Sequence, residues 1–141
     1  MKLIHTSPNP IEEIDEFGTF GENLCFAASE YVMTAKSDYV VYELEIDDEK
    51  IIRAYNLYDE EIIKDIAERL GVDEYIADRI LDGRESALDY GADAEDDWWI
   101  QEQQGNCAKK MGYEACESVD EQGAVWIVPM LGREKDLVRV K

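Results

Sequence analysis

The chain has 141 residues and a formal net charge of −20, because 34 Asp and Glu outnumber 14 Lys and Arg. A chain of this length defaults to one domain, residues 1–141, and buries about two-thirds of the surface that its unfolded form exposes. Its negative field repels nucleic acid and anionic membranes and speeds encounter with a basic protein surface, although acidity is equally often a solubility trait.

The cysteine pattern and the hydropathy exclude several classes of protein. Cys25, Cys107 and Cys116 are odd in number and lack C-x-x-C spacing, which argues against a disulfide framework or a zinc site. No apolar run approaches the ~18 residues of a membrane span, and the N-terminus lacks the apolar core of a signal peptide. We therefore expect a soluble cytoplasmic protein with reduced thiols and no metal.

The first third of the chain predicts short strands. Residues 2–5 indicate an opening strand that the turn formers at 7–10 end, and an amphipathic helical turn follows over 11–17. Residues 24–27 form a second predicted strand, after which Ser29 can cap a helix. The clearest strand covers 38–46, where Val40, Tyr42 and Leu44 alternate with Glu43.

Helices dominate the middle of the chain. Asp59 and Asp73 are predicted N-caps of two helices that Gly71 and Gly83 end, which gives a helical insert at about 58–83. Residues 89–97 hold five acids and favour a solvated loop, and a helix is predicted over 99–111. Strands follow at about 113–118, 124–128 and 137–140. Strands at both ends with helices between them predict an α+β fold.

Three segments are candidates for chemistry, and each also has a purely structural interpretation. His5 lies on the first strand, where a lone histidine is more often a packed or surface residue. Phe20 and Phe26 flank a segment that could face a cleft and stack on a cationic nicotinamide ring, or could simply be core. Asp120 and Glu121 begin an Asp-Glu-Gln-Gly run that a hairpin turn explains equally well.

The order of these segments resembles the diphtheria-toxin and poly-ADP-ribose-polymerase branch of the ADP-ribosyltransferases. Within that branch it is most similar to the small phage-encoded type I-F anti-CRISPR ADP-ribosyltransferase family. The resemblance covers residues 3–5, 11–21, 39–46, 98–105 and, above all, 112–126. It implies a split β-sheet core with a helical insert, and NAD as the cofactor.

The resemblance also implies roles for individual residues. The residues expected to flank the NAD-binding cleft are His5, Thr6, Phe20, Gly21, Phe26 and Ser29. His5 is expected to bind a ribose hydroxyl of NAD, and Asp120 is expected to support transfer. Glu121 is the next candidate for the catalytic role, or orients the acceptor.

The resemblance implies a partner as well. The acceptor is expected to be the DNA-reading subunit of a type I-F CRISPR Cascade complex in the host bacterial cytoplasm, modified on a side chain that contacts DNA. A basic DNA-binding surface attracts a chain of charge −20. Two alternatives remain: a non-catalytic acidic mimic of DNA, and an NAD glycohydrolase or toxin that uses another acceptor.

Overall fold

The described part of the chain folds into two β-sheets and three α-helices. In this computed structural model the described residues are 1–7, 23–27, 40–120, 123–130 and 133–140. The strands are β1 (Lys2–Ser7), β2 (Asn23–Phe26), β3 (Val40–Glu45), β4 (Ile51–Arg53), β5 (Ala115–Asp120), β6 (Gly123–Pro129) and β7 (Val138–Arg139). The helices are α1 (Glu60–Leu70), α2 (Glu74–Leu81) and α3 (Ala94–Lys110). This α+β architecture confirms the predicted fold class.

One sheet has three strands in the order β1-β3-β7 and the other has four in the order β2-β6-β5-β4. All pairs are antiparallel except β4 with β5, which run parallel. The alternation predicted for β3 is present, since Val40, Tyr42 and Leu44 are buried while Glu43 is half-buried. β4 was not predicted, because three residues are too few to show a period.

Both predicted caps of the helical insert are present. The Asp59 carboxylate accepts a hydrogen bond from the Ile62 backbone N–H at 3.0 Å, and Asp73 does the same for α2 at 2.8 Å. Gly71 ends α1 with φ +67°, a left-handed conformation that an L side chain rarely adopts. Sequence patterning therefore located these helices correctly.

The prediction of a loop over 89–97 was wrong except at 91–93, although none of these nine residues is buried, as predicted. A short 3-10 helix covers Ala87–Tyr90, and α3 begins at Ala94, five residues earlier than predicted. Asp93 accepts from the Asp96 backbone N–H at 2.9 Å, and the Asp96 carboxylate accepts from the Asp93 N–H at 3.4 Å. Acidic side chains stabilise the N-terminus of a helix because they accept hydrogen bonds from its unpaired N–H groups and are attracted by the positive end of its dipole.

The four-stranded sheet is covered on both faces. The helices pack on one face, where Cys116 and Ile127 join the isoleucines of α1. The other face meets the three-stranded sheet through Leu3, Phe26 and Trp126. α3 lies close against the strands at Gly105, where a Cβ atom would collide with the side chains of Asn23 and Ile127.

Several predictions fall on residues outside the described ranges. The helical turn at 11–17 and the cap at Ser29 are among them. The strands predicted near residues 24, 113, 124 and 137 are present with shifted ends. Within the described ranges, no helix combines the length and the apolar character needed to cross a membrane.

Candidate active site at the split between the sheets

The two sheets touch edge to edge at β1 and β2. The Ile4 N–H donates to the Ala27 carbonyl at 2.8 Å, and the Ala27 N–H donates to the Ile4 carbonyl at 2.7 Å. Among the described residues, these are the backbone hydrogen bonds that join the two strands. No further bridge pairs β1 with β2 in the described ranges, so the two sheets are separate apart from this contact.

His5 lies directly after this bridge and spans the split with its side chain. Its Nδ1 is 2.7 Å from the carbonyl oxygen of Cys25 on β2. A carbonyl oxygen can only accept, so Nδ1 carries the hydrogen and donates it. Burial lowers the pKa of the imidazole, against the opposing effect of the Cys25 carbonyl. His5 is therefore neutral at pH 7, and its Nε2 atom has a lone pair that can accept a hydrogen bond.

Phe26 supports His5 from within the core. The ring centroids of the two side chains are 5.5 Å apart and the rings are tilted by 55°. Phe26 is only 1% exposed and belongs to the cluster between the sheets. A ring buried to this extent does not offer a face to a ligand. The placement therefore revises the expected role of Phe26 from a stacking surface to a support that orients His5.

Thr6 presents its backbone to the gap. Successive residues of a strand direct their backbone polar groups to opposite edges, and Ile4 directs its groups to β2. The N–H and C=O of Thr6 therefore point toward β2 as well, where no bridge in the described part of the chain pairs the two strands. The Thr6 Oγ1 atom is also buried without a hydrogen-bond partner among the described residues. This strand end offers one donor and one acceptor side by side.

The late acidic pair lies at a hairpin between β5 and β6. Asp120 is the last residue of β5 and its Cα partner is Gly123, the first residue of β6. Gly123 has φ +113°, which suits glycine at a tight reversal. Glu121 lies in the connection and falls outside the described residues. Asp120 thus stands at a strand end, as the sequence predicted.

The structure brings some of the predicted site residues together and leaves the others apart. His5, Thr6 and Phe26 meet at the split. Asp120 belongs to β5, which β6 separates from β2, so the two strands are about 10 Å apart. Phe20, Gly21 and Ser29 lie outside the described residues. No three His, Cys, Asp or Glu side chains in the described ranges are grouped as a metal site requires.

A second feature, which the sequence did not reveal, lies beside the end of β5. A cavity of about 620 Å³ opens between β5, α3 and the loop that follows α2. We call it the β5 recess. Its lining includes Tyr55, Glu85, Asp97, Glu117 and Val119, but neither His5 nor Thr6.

Buried polar side chains form the floor of the β5 recess. The Ser118 hydroxyl donates to Oε1 of Gln104 at 3.0 Å, and Nε2 of Gln104 donates to the carbonyl of Leu81 at 2.9 Å. This chain of hydrogen bonds ties β5 to α3 and α2. Gln103 and Gln104 are buried in α3, where apolar side chains are usual. This pair of adjacent glutamines was the one trace of the buried polar floor that the sequence offered.

In the described part of the chain, seven strands in two sheets bridged at β1 and β2, with three helices, form an α+β architecture consistent with the ADP-ribosyltransferase-like class. The family model of the Anti-CRISPR Type I-F ADP-ribosyltransferase AcrIF11 matches residues 1–133, and the chain belongs to this family. It is therefore an ADP-ribosyltransferase of the anti-CRISPR type.

A solved structure supports this assignment. The chain is similar to one described as "Crystal structure of an anti-CRISPR protein", with 26% sequence identity and a TM-score of 0.53. The similarity covers 91% of this chain and 88% of the other chain. Comparison with curated proteins gives no match.

Proposed function

We propose that this protein binds NAD across the split and transfers ADP-ribose to a side chain on the DNA-contacting surface of a type I-F Cascade subunit. The observation that carries the proposal is the 2.7 Å hydrogen bond from His5 Nδ1 to the Cys25 carbonyl. This bond fixes the tautomer of a neutral imidazole at the point where the sheets separate.

Each group at the split matches a part of NAD. The Nε2 atom of His5 accepts a hydrogen bond from a ribose hydroxyl, which a protonated imidazole could not do. The adjacent N–H and C=O of Thr6 complement a carboxamide, which offers one acceptor and two donors. Across β6, Cys25 lies opposite Cys116, so Asp120 is about 10 Å across the sheet and four residues, about 13 Å, along it from Cys25. The ribose that reacts would then lie toward Asp120.

Asp120 is the candidate catalytic residue. NAD supplies a ribosyl group with nicotinamide as the leaving group, and breaking that glycosidic bond leaves positive charge on the ribose. The Asp120 carboxylate stabilises this charge and accepts a hydrogen bond from a ribose hydroxyl. The acceptor atom then bonds to the ribosyl carbon and loses its proton. A fixed group of this kind contributes ~3 kcal/mol to lowering the barrier. Glu121 orients the acceptor, or replaces Asp120 in this role.

The charge of the chain supports a protein acceptor. A net charge of −20 repels nucleic acid but attracts a surface that has evolved to bind it. Modifying a side chain of that surface would block DNA binding and so inhibit the complex. Association with such a surface should weaken as salt is added, because electrostatic steering is screened.

One experiment separates this proposal from the two alternatives. The protein is incubated with NAD labelled in the adenylate half and purified type I-F Cascade, and both free nicotinamide and labelled protein are measured. A single labelled subunit together with nicotinamide supports transfer. Nicotinamide without a labelled subunit would favour a glycohydrolase. Inhibition of DNA binding with NAD omitted would favour an acidic mimic.

A further inference from the structure

The β5 recess lies next to the catalytic strand end, on the side of the sheet that α3 covers. Ser118 and Val119 line it, and Asp120 follows them directly in β5. Two residues of a strand span about 7 Å, so the recess opens within one side-chain length of the Asp120 backbone. A group held in the recess would therefore adjoin any group that reacts at Asp120.

The lining of the β5 recess carries an excess of negative charge. The charged residues of the lining are Asp82, Glu85, Asp97, Glu117, Arg53 and Arg84. Arg79 also pairs with Glu85 at 3.4 Å, so four carboxylates meet three guanidinium groups. Arg84 is already held, with its Nε 2.7 Å from Asp82 and its Nη2 3.4 Å from Asp78. Arg53 has a side chain that is 78% exposed and lies 3.8 Å from Glu117, near the upper limit for an ion pair. An incoming cation can therefore compete for Glu117.

The rim of the β5 recess is apolar and exposed. Tyr55 is 69% exposed and Val119 is 78% exposed, although both have large side chains that proteins usually bury. An exposed tyrosine can lie against the stem of a long basic side chain and contribute a cation–π interaction with its head group. Apolar anchors around a charged centre are a common composition for a protein–protein contact.

These features do not suit the dinucleotide itself. NAD carries a negatively charged pyrophosphate, which four carboxylates would repel. Arg84 is held by Asp82 and Asp78, and the loosely paired Arg53 supplies only one positive charge against that repulsion. A positively charged side chain on a protein surface fits the same lining well, because it meets Glu117 and Asp97 while its apolar stem contacts the rim.

We propose that the β5 recess receives an arginine or lysine side chain of the acceptor protein and so places the neighbouring acceptor side chain beside Asp120. The proposal rests on the function proposed above, and it identifies the basic side chain bound in the β5 recess as the feature by which the enzyme selects its acceptor. A basic residue next to the modified position is then a requirement of the target sequence, in addition to the general attraction between an acidic enzyme and a basic surface.

Binding to the recess can be tested without NAD and without Cascade. The ¹⁵N-labelled protein is titrated with a capped Gly-Arg-Gly peptide, and a second titration uses the same peptide with neutral citrulline in place of arginine. The amide shifts should concentrate at Gly83, Ala87, Ser118 and Val119, and citrulline should produce much smaller shifts. Shifts scattered over the surface, or none, would overturn the proposal. The proposal would also be overturned if NAD shifted these same amide signals.

A matched pair of variants tests the role of the recess in transfer. Asp97→Asn with Glu117→Gln removes two charges from the recess, and Asp47→Asn with Glu68→Gln removes two exposed charges elsewhere. The recess variant should raise the KM for Cascade about tenfold, since two partly exposed ion pairs are lost. The control variant should stay within about twofold, and NAD hydrolysis without acceptor should be unchanged in both. Equal losses in the two variants would overturn the proposal.

Loss of stability in the variant and failure of the proposed function can each be told apart from failure of the recess proposal. If the double variant melts earlier than the control, Glu117→Gln alone repeats the test, because the Glu117 side chain is partly exposed and caps no helix. If the unaltered protein neither hydrolyses NAD nor modifies Cascade, the proposed function fails. The peptide titration then still decides whether the recess binds a cationic side chain.

Discussion

Replacing His5 by asparagine or by glutamine should separate the two hydrogen bonds of its imidazole ring. An asparagine side-chain N–H can reach the place of Nδ1 and donate to the Cys25 carbonyl, whereas a glutamine amide reaches the place of Nε2. His5→Gln leaves the Cys25 carbonyl without its 2.7 Å partner, which should cost about 1–3 kcal/mol of stability. His5→Asn should keep that stability but lose the ribose contact, worth about 1 kcal/mol, or roughly fivefold in the Kd for NAD.

Urea unfolding and calorimetry with NAD measure these two effects. Both variants lose the contact between the His5 and Phe26 rings, so that loss cancels when they are compared with each other. The reasoning would be refuted if His5→Asn bound NAD as tightly as the unaltered protein, or if His5→Gln were the more stable of the two variants.

The lowered pKa of His5 predicts that the free energy of unfolding depends on pH. Burial lowers the pKa of His5 in the folded protein below 6.5, its ordinary value in an unfolded chain. The unfolded chain therefore binds the proton first as the pH falls. The stability that the neutral ring contributes is complete above pH 6.5 and is lost as the pH falls from there through the lowered pKa. Measured against His5→Asn, the free energy of unfolding should rise with pH across this window. A flat difference would contradict the account.

Two other predictions concern packing and thiol reactivity. Gly105→Ala should destabilise the fold by about 1–3 kcal/mol in urea unfolding, because the added methyl group meets the buried side chain of Asn23, and unchanged stability would argue against the close packing of α3. Burial raises the pKa of Cys107 to about 11 and also raises that of Cys116, so a thiol reagent at pH 8 should modify only half-buried Cys25 before unfolding. Rapid labelling of two or three thiols in the native protein would show that the buried pair is accessible.

Local patterns in the sequence predicted part of the fold well. Asp59 and Asp73 were recognised as N-caps because each precedes a segment with helical spacing of apolar residues, and an Asp side chain there accepts a hydrogen bond from a free backbone N–H. The start of α3 was missed because a run of acids also fits a solvated loop, and the reciprocal bonds of Asp93 and Asp96 become visible only in three dimensions. β4 has three residues, and its parallel pairing with β5 depends on residues far apart in the chain.

The site was predictable in outline only. The position of His5 on the first strand and of Asp120 at a later strand end followed from the resemblance. The resemblance also implied a split sheet, but not the bridge at Ile4 and Ala27 where the two sheets meet, because that pairing joins residues far apart in the chain. The role of Phe26 depends on burial, which a short apolar segment does not reveal. The β5 recess is assembled from several distant segments and leaves no motif in the sequence.

The most direct test of the account is the rate of NAD cleavage and transfer by Asp120→Asn. This change keeps the size of the side chain but removes its charge. NAD should still bind with a Kd within about threefold, because the proposed ground-state contacts are those of His5 and Thr6, while transfer to Cascade should fall by about 100-fold or more. Glu121→Gln, made in parallel, should cost less. A folded Asp120→Asn protein that transfers ADP-ribose at the original rate would contradict the central claim, and a larger loss at Glu121 would move the catalytic role to that residue.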